Sequence, residues 1–183
     1  QGKHVGAQKL AQEACKIEID ILKKPIGRQD HYIAAHGGFQ HIRFNQDDSI
    51  YVDPIICLPE TRKKLEERLL LLYTGKTRPA EHILVKQTRN MERDEGIRKI
   101  MSKMVDLARE MQDSLSKNNL DSFGEMLHEN WKLKKKMADG VSTPQIDRWY
   151  NIARKHGAIG GKILGAGGGG FLLLYALPHK HTR

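Results

Sequence analysis

The apolar positions along this chain follow two periods, and the switch between them marks out its elements. Between Gln8 and Leu22, residues Leu10, Ala11, Ala14, Ile17, Ile21 and Leu22 recur three and four apart, which predicts one helix over that span. Pro25 and Gly27 end it, because proline disfavours the helical region in the residue before it and glycine takes positive φ freely. A loop then carries Arg28, Gln29 and Asp30 into a short helix over His31–His36, stopped by Gly37 and Gly38. Phe39–Phe44 and Ser49–Val52 alternate around Asn45–Asp48, as the strands of a hairpin do.

Past Pro59 the chain predicts a helix over Glu60–Arg68, then a short apolar strand, Leu69–Tyr73, and the turn Thr74-Gly75-Lys76-Thr77-Arg78. The long middle is helical. Ile97, Ile100, Met101, Met104, Val105, Ala108, Met111 and Leu115 share one face, and Leu120, Phe123, Met126, Leu127, Trp131 and Met137 share another, with the break at Asn118-Asn119. Methionines at these spacings read as core filler. Thr143 as N-cap, Pro144 at the first helical position and Gly157 beyond Lys155 and His156 punctuate the last helix. Two strands, Ala158–Leu164 and Phe171–Ala176, then flank Gly165-Ala166-Gly167-Gly168-Gly169-Gly170. The pattern mixes helices and strands, α+β, with a boundary near Pro54–Pro59.

Composition narrows the class. Hydrophobic residues make up 39% and charged residues 29% of the 183, a globular balance. Leu69–Tyr73 and Phe171–Leu177 fall far short of the ~20 apolar residues that a spanning helix needs, so no membrane partner is expected. The only two cysteines, Cys15 and Cys57, read as buried thiols of a reducing, cytoplasmic compartment. A net charge of +9 favours anionic partners. Because the basic residues are spread along helix faces, with Arg62–Lys64 and Lys132–Lys136 as short clusters, they read mostly as solvated, and nucleic acid is not the expected partner.

The glycine run carries the sharpest chemistry. Gly165, Gly167 and Gly170 satisfy the letters of the dinucleotide fingerprint, but that motif needs a following helix and an acidic residue about twenty positions on. Here a second strand follows and the chain ends at Arg183. No Lys-Ser or Lys-Thr pair closes a phosphate loop of the other common type. What remains is strand, glycine turn, strand, in which successive amides without Cβ shielding can meet an anion, or else a wide turn between buried strands. Asp30 is the second candidate. Locally it reads as the N-cap of the helix after it, with Arg28 two positions before it able to keep the carboxylate ionised. A carboxylate that accepts a hydroxyl proton and a turn that lies by a phosphate are two parts of a phosphoryl-transfer site.

In order and spacing, Gly27-Arg28-Gln29-Asp30-His31-Tyr32, Gly37-Gly38-Phe39, Tyr73-Thr74-Gly75 and Lys162-Ile163-Leu164-Gly165-Ala166-Gly167-Gly168-Gly169-Gly170-Phe171 resemble the galactokinase, homoserine kinase, mevalonate kinase and phosphomevalonate kinase (GHMP) superfamily. With Glu13–Leu22 added, the likeness is strongest to bacterial D-glycero-D-manno-heptose 7-phosphate kinases. The resemblance implies residues 1–58 as the end of a lobe folded like ribosomal S5, and 59–183 as a ferredoxin-like lobe with a long helical insertion. It implies ATP with Mg²⁺ as cofactors and a sugar or sugar phosphate as acceptor. Asp30 becomes the catalytic base, Gly165–Gly170 the phosphate-side motif, and Arg28, Thr74 and Gly75 the acceptor side, with no protein metal ligands. Arg28 stands where the family often has Lys or an apolar residue, and His31 where it often has Gln.

The resemblance also implies that the family's first two motifs, including its serine- and glycine-rich phosphate loop, lie upstream of Gln1, and that a further helix and strand follow Pro178–His181. The chain by itself is then expected to be inactive. His179 and His181 are either metal ligands or an exposed tail. The readings that stand against a heptose phosphate kinase are a galactokinase-like or fucokinase-like enzyme, an inactive remnant, and a basic nucleic-acid-binding module. Self-association is compatible with all of them.

Overall fold

The computed structural model of the protein describes residues 5–77 and 79–181, so Arg78, at the end of the turn expected after Tyr73, lies outside the described residues. The chain forms two compact units that meet between Ile56 and Cys57.

In the first unit, α1 (Ala7–Cys15) runs into a wider, π-helical segment over Lys16–Ile21. The single helix expected there is thus half right. Ile17, Ile19 and Ile21 alternate, and β-branched side chains crowd the preceding helical turn, which favours a widened backbone. Next come α2 (Gln29–His36), β1 (Gln40–Phe44) and β2 (Ile50–Pro54). The hairpin forms as expected, antiparallel with Phe44 opposite Ile50 and Gln40 opposite Pro54. Ala11 of α1 and Tyr32 of α2 are buried, and the Tyr32 ring meets Phe44 edge-on at 6.1 Å between centroids.

The second unit runs α3 (Pro59–Arg68), β3 (Leu69–Tyr73), α4 (Ala80–Arg93), α5 (Glu95–Ser116), α6 (Phe123–Lys135), α7 (Pro144–Lys155), β4 (Ala158–Ile163) and β5 (Phe171–Ala176). Helix α4 was not foreseen from the pattern; Ile83 is its one buried residue. The break at Asn118 is as expected. Its φ of 58° turns the chain, and its side-chain oxygen accepts from the Leu58 amide at 2.7 Å and the Thr61 hydroxyl at 3.0 Å. The α7 cap also forms as expected, with Thr143 Oγ1 accepting from the Ile146 amide at 3.3 Å.

The strands make an antiparallel sheet in the order β3-β5-β4, with Leu173 paired to Leu71 on one side and Lys162 on the other. Trp131, Val141, Ile146, Ile163 and Leu172 are buried in the core between sheet and helices. Helix α6 reaches β4 through two glycines: a Cβ on Gly160 would collide with the Gly124 carbonyl, and one on Gly124 would sit 2.6 Å from Tyr175 Cδ1. That close approach brings the last turn of α6 to the end of β4. Cys15, at the end of α1, and Cys57, in the link between β2 and α3, are unpaired and half-buried rather than fully buried as expected. No helix among the described residues is long and apolar enough to cross a membrane.

Candidate active site

The ladder between β4 and β5 closes with the Leu164 amide donating to the Phe171 carbonyl at 2.9 Å, and Gly165–Gly170 loop out beyond it. Glycine is required here for two separate reasons. Gly167 and Gly168 have φ of 113° and 76°, in the left-handed region that L side chains avoid. A Cβ on Gly167 would also stand 2.6 Å from the Val141 carbonyl oxygen, and one on Gly169 would stand 2.7 Å from that of Lys76.

The turn is held from both flanks. Gly168 donates its amide to Val141 at 2.9 Å, and Gly170 donates its amide to Lys76 at 2.8 Å. Thr74, at the end of β3, donates both its amide and its hydroxyl to the Gly170 carbonyl, each at 2.9 Å. Among the described residues, the amides of Ala166, Gly167 and Gly169 have no acceptor in the chain. A rigid turn with unclaimed amides is an anion-accepting surface. Val141 and Lys76 supply its frame, and neither was foreseen, since a backbone carbonyl leaves no mark in side-chain type.

Two lysines stand at the Gly165 end. Lys134, in the last turn of α6, donates its ammonium to the Gly165 carbonyl. Lys162 of β4 donates to Asn130 Oδ1 at 3.1 Å. Burial, followed by the Lys162 charge, pushes Lys134 down to about 8, and burial alone pulls Lys162 down. The sequence reading of the Lys132–Lys136 cluster as a solvated face is therefore corrected at Lys134, which lies against the turn because Gly124 and Gly160 let α6 descend onto β4.

Asp30 lies in the first unit, exposed in the first turn of α2. The expected N-cap role is corrected: α2 starts at Gln29 with Arg28 in the cap position, and Asp30 already has its place inside the helix. Arg28 does not hold Asp30 either. Its guanidinium pairs with Asp48 at 3.0 Å, on the hairpin turn, while among the described residues Asp30 accepts only from Gln29 Nε2 at 3.3 Å. Beside them His31 Nε2 meets Glu18 Oε2 at 2.9 Å, and the Glu18 carboxyl is held below its ordinary range by hydrogen bonds from Lys24 and then His31. Arg28, Asp48, Tyr32 and Asp20 line a polar cavity of about 190 Å³.

Thr74 and Gly75 border a different, mainly apolar cavity of about 620 Å³ between β3, β5 and α7. Thr74 is buried and its hydroxyl is committed to Gly170, so it acts on the turn rather than through a free side chain. His181 Nε2 meets the Ala176 carbonyl at 3.1 Å. Among the described residues no group of three or more His, Cys, Asp or Glu side chains could hold a metal ion.

An antiparallel sheet joined through a pinned glycine turn and covered by helices defines an α+β domain with an anion-accepting end. Residues 111–180 match the family described as GHMP kinases C terminal. It is 30% identical over 176 residues to the D-glycero-alpha-D-manno-heptose 7-phosphate kinase of Campylobacter jejuni, covering 96% of this chain and 52% of that protein. It is 30% identical over 128 residues to the bifunctional fucokinase/GDP-fucose pyrophosphorylase of Arabidopsis thaliana, covering 69% of this chain and 12% of that protein. Its fold superposes with a TM-score of 0.65, at 24% identity, on a D-glycero-D-manno-heptose 1-phosphate kinase from Bacteroides thetaiotaomicron, covering 98% of this chain and 48% of that one. The chain spans about half the length of the heptose kinases it matches.

Proposed function

We propose that this chain forms part of an ATP-dependent small-molecule kinase whose acceptor is a sugar phosphate of the heptose 7-phosphate type. The observation that carries the reading is the glycine turn, fixed at both flanks with the amides of Ala166, Gly167 and Gly169 unclaimed. The similarity to the Campylobacter heptose phosphate kinase over nearly the whole chain supports the acceptor class.

In this reading the nucleotide phosphates lie against the turn, where backbone N–H groups meet negative charge without reorganising. The Asp30 carboxylate accepts the proton of the acceptor hydroxyl as its oxygen attacks the γ-phosphorus. The bond to the bridging oxygen breaks and ADP leaves. Arg28 and Gly75 belong to the acceptor side, and Thr74 serves it by fixing the turn. The first unit then represents part of an S5-like lobe, with the domain boundary near residue 58. Catalysis here is positioning and charge neutralisation. Magnesium would arrive with ATP.

The test is ADP release by the enzyme of which this chain forms part, with ATP and a panel of acceptors: heptose 7-phosphate, free heptose, galactose, fucose and mevalonate. Release stimulated by heptose 7-phosphate above the others is expected. Stimulation by fucose instead would favour the fucokinase-like reading, which the similarity to the Arabidopsis fucokinase keeps in play. No stimulation by any acceptor, together with nucleic-acid affinity that falls steeply with salt, would replace the kinase reading with a basic binding module.

A further inference from the structure

The lysines of α6 are not treated alike by the fold. Lys132 pairs with Glu129 at 2.9 Å and Lys135 with Asp147 at 3.1 Å. Lys134 and Lys162 are held by neutral oxygens only, the Gly165 carbonyl and the Asn130 amide. Among the described residues neither has a carboxylate within ion-pair distance, and the one charge acting on Lys134 is the ammonium of Lys162. Two half-buried cations without counter-charge are costly to a fold, and that cost is relieved when an anion arrives. An ammonium has three donors, so Lys134 keeps two for a ligand while it holds Gly165.

Resting on the kinase reading above, we propose that Lys134 and Lys162, together with the free amides of the glycine turn, form a receptor for the phosphate chain of the nucleotide. Lys134 touches the phosphate oxygens. Lys162, fixed by Asn130, supplies a second positive charge behind it. This pair gives the C-terminal domain a phosphate grip of its own, beside whatever the rest of the nucleotide meets.

The experiment is a calorimetric titration of the full chain with inorganic pyrophosphate at fixed ionic strength and neutral pH, repeated with ADP. Saturable binding is expected. Lys134→Met should weaken it about 10-fold or more, the scale of a lost charge-assisted contact, while Lys134→Arg recovers part of the loss because it keeps the charge. Lys162→Met should weaken binding less, and Lys132→Met, whose partner is Glu129, should leave it unchanged. Pyrophosphate bound equally by Lys134→Met and the native chain, or bound by neither, overturns the proposal. Acceptor-dependent ADP release with an unaltered KM for ATP in Lys134→Met would sink the receptor and leave the kinase reading standing. Lys134-dependent pyrophosphate binding without acceptor-dependent ADP release would do the reverse.

Discussion

The Thr74 hydroxyl donates to the Gly170 carbonyl at 2.9 Å, across 96 residues of sequence. The Thr74 amide reaches the same oxygen at 2.9 Å, so the end of β3 clamps the last residue of the glycine turn twice. Because β3 is an edge of the sheet, this clamp ties a strand that would otherwise end free to the glycine turn. Thr74→Val keeps the shape and removes one donor. It should cost about 1 kcal/mol of stability, and pyrophosphate affinity should drop several-fold, with Thr74→Ser close to native. Native affinity in Thr74→Val would show that the amide alone fixes the turn.

The two reasons for glycine in the turn can be separated by substitution. Gly165 has φ of 70° and open space where a Cβ would go, so Gly165→Ala bears only the left-handed strain, about 1–2 kcal/mol. Gly167→Ala adds a clash with backbone, the Val141 carbonyl oxygen 2.6 Å from its Cβ, and the loop must shift. Urea unfolding should show Gly167→Ala less stable than Gly165→Ala, with a larger loss of pyrophosphate binding. Equal destabilisation would mean that Val141 yields and does not shape the turn.

What could be read in the chain was what depends on neighbours in sequence. The β4 and β5 strands, the glycine turn between them, the hairpin and the Thr143 cap all rest on contacts within a few residues, and short-range patterns encode such contacts. Asp30 misled because an acidic residue before an apolar run is also what an N-cap looks like, whereas the first turn begins one residue earlier, at Gln29. Lys134 could not be singled out among its neighbours. Its fate depends on Gly124 and Gly160 bringing α6 against β4 across 36 residues, and neither glycine signals that approach alone. Lys162 lay inside the motif that carried the resemblance, yet its half-buried place opposite Leu173 is set by the sheet register.

Asp30 offers a clean separation of chemistry from folding. It is exposed, sits inside α2 and accepts one long hydrogen bond, from Gln29 at 3.3 Å. Asp30→Asn should therefore leave the melting temperature nearly unchanged, since surface substitutions of this sort stay within about 0.5 kcal/mol. In the proposed reaction the same change removes the proton acceptor and should lower turnover by ~10²–10⁴-fold. Turnover equal to native with an acceptor that supports ADP release would remove Asp30 from the mechanism.

Lys134, Lys162 and Tyr150 of the second unit shape how its stability depends on alkaline pH. Lys134 titrates at about 8 when folded against an ordinary 10.5, so between those values the unfolded chain holds a proton that the folded chain has released, and stability rises with pH. Lys162, also pulled down by burial, acts in the same direction. Tyr150 opposes them. Burial raises its phenol from 10.0 to about 12, so above pH 10 the folded chain keeps a proton that the unfolded chain loses, and stability falls. Urea midpoints from pH 7 to 11.5 should climb and then turn over near pH ~10, where the two windows meet. Lys134→Met should flatten the rise and raise stability at pH 7, because the buried charge is gone. Tyr150→Phe should soften the fall, at the cost of the 2.6 Å hydrogen bond to His128. Pyrophosphate should shift the rising limb to higher pH, since an anion beside Lys134 favours its charged form. A limb that stays in place while pyrophosphate binds would mean that the anion sits away from Lys134.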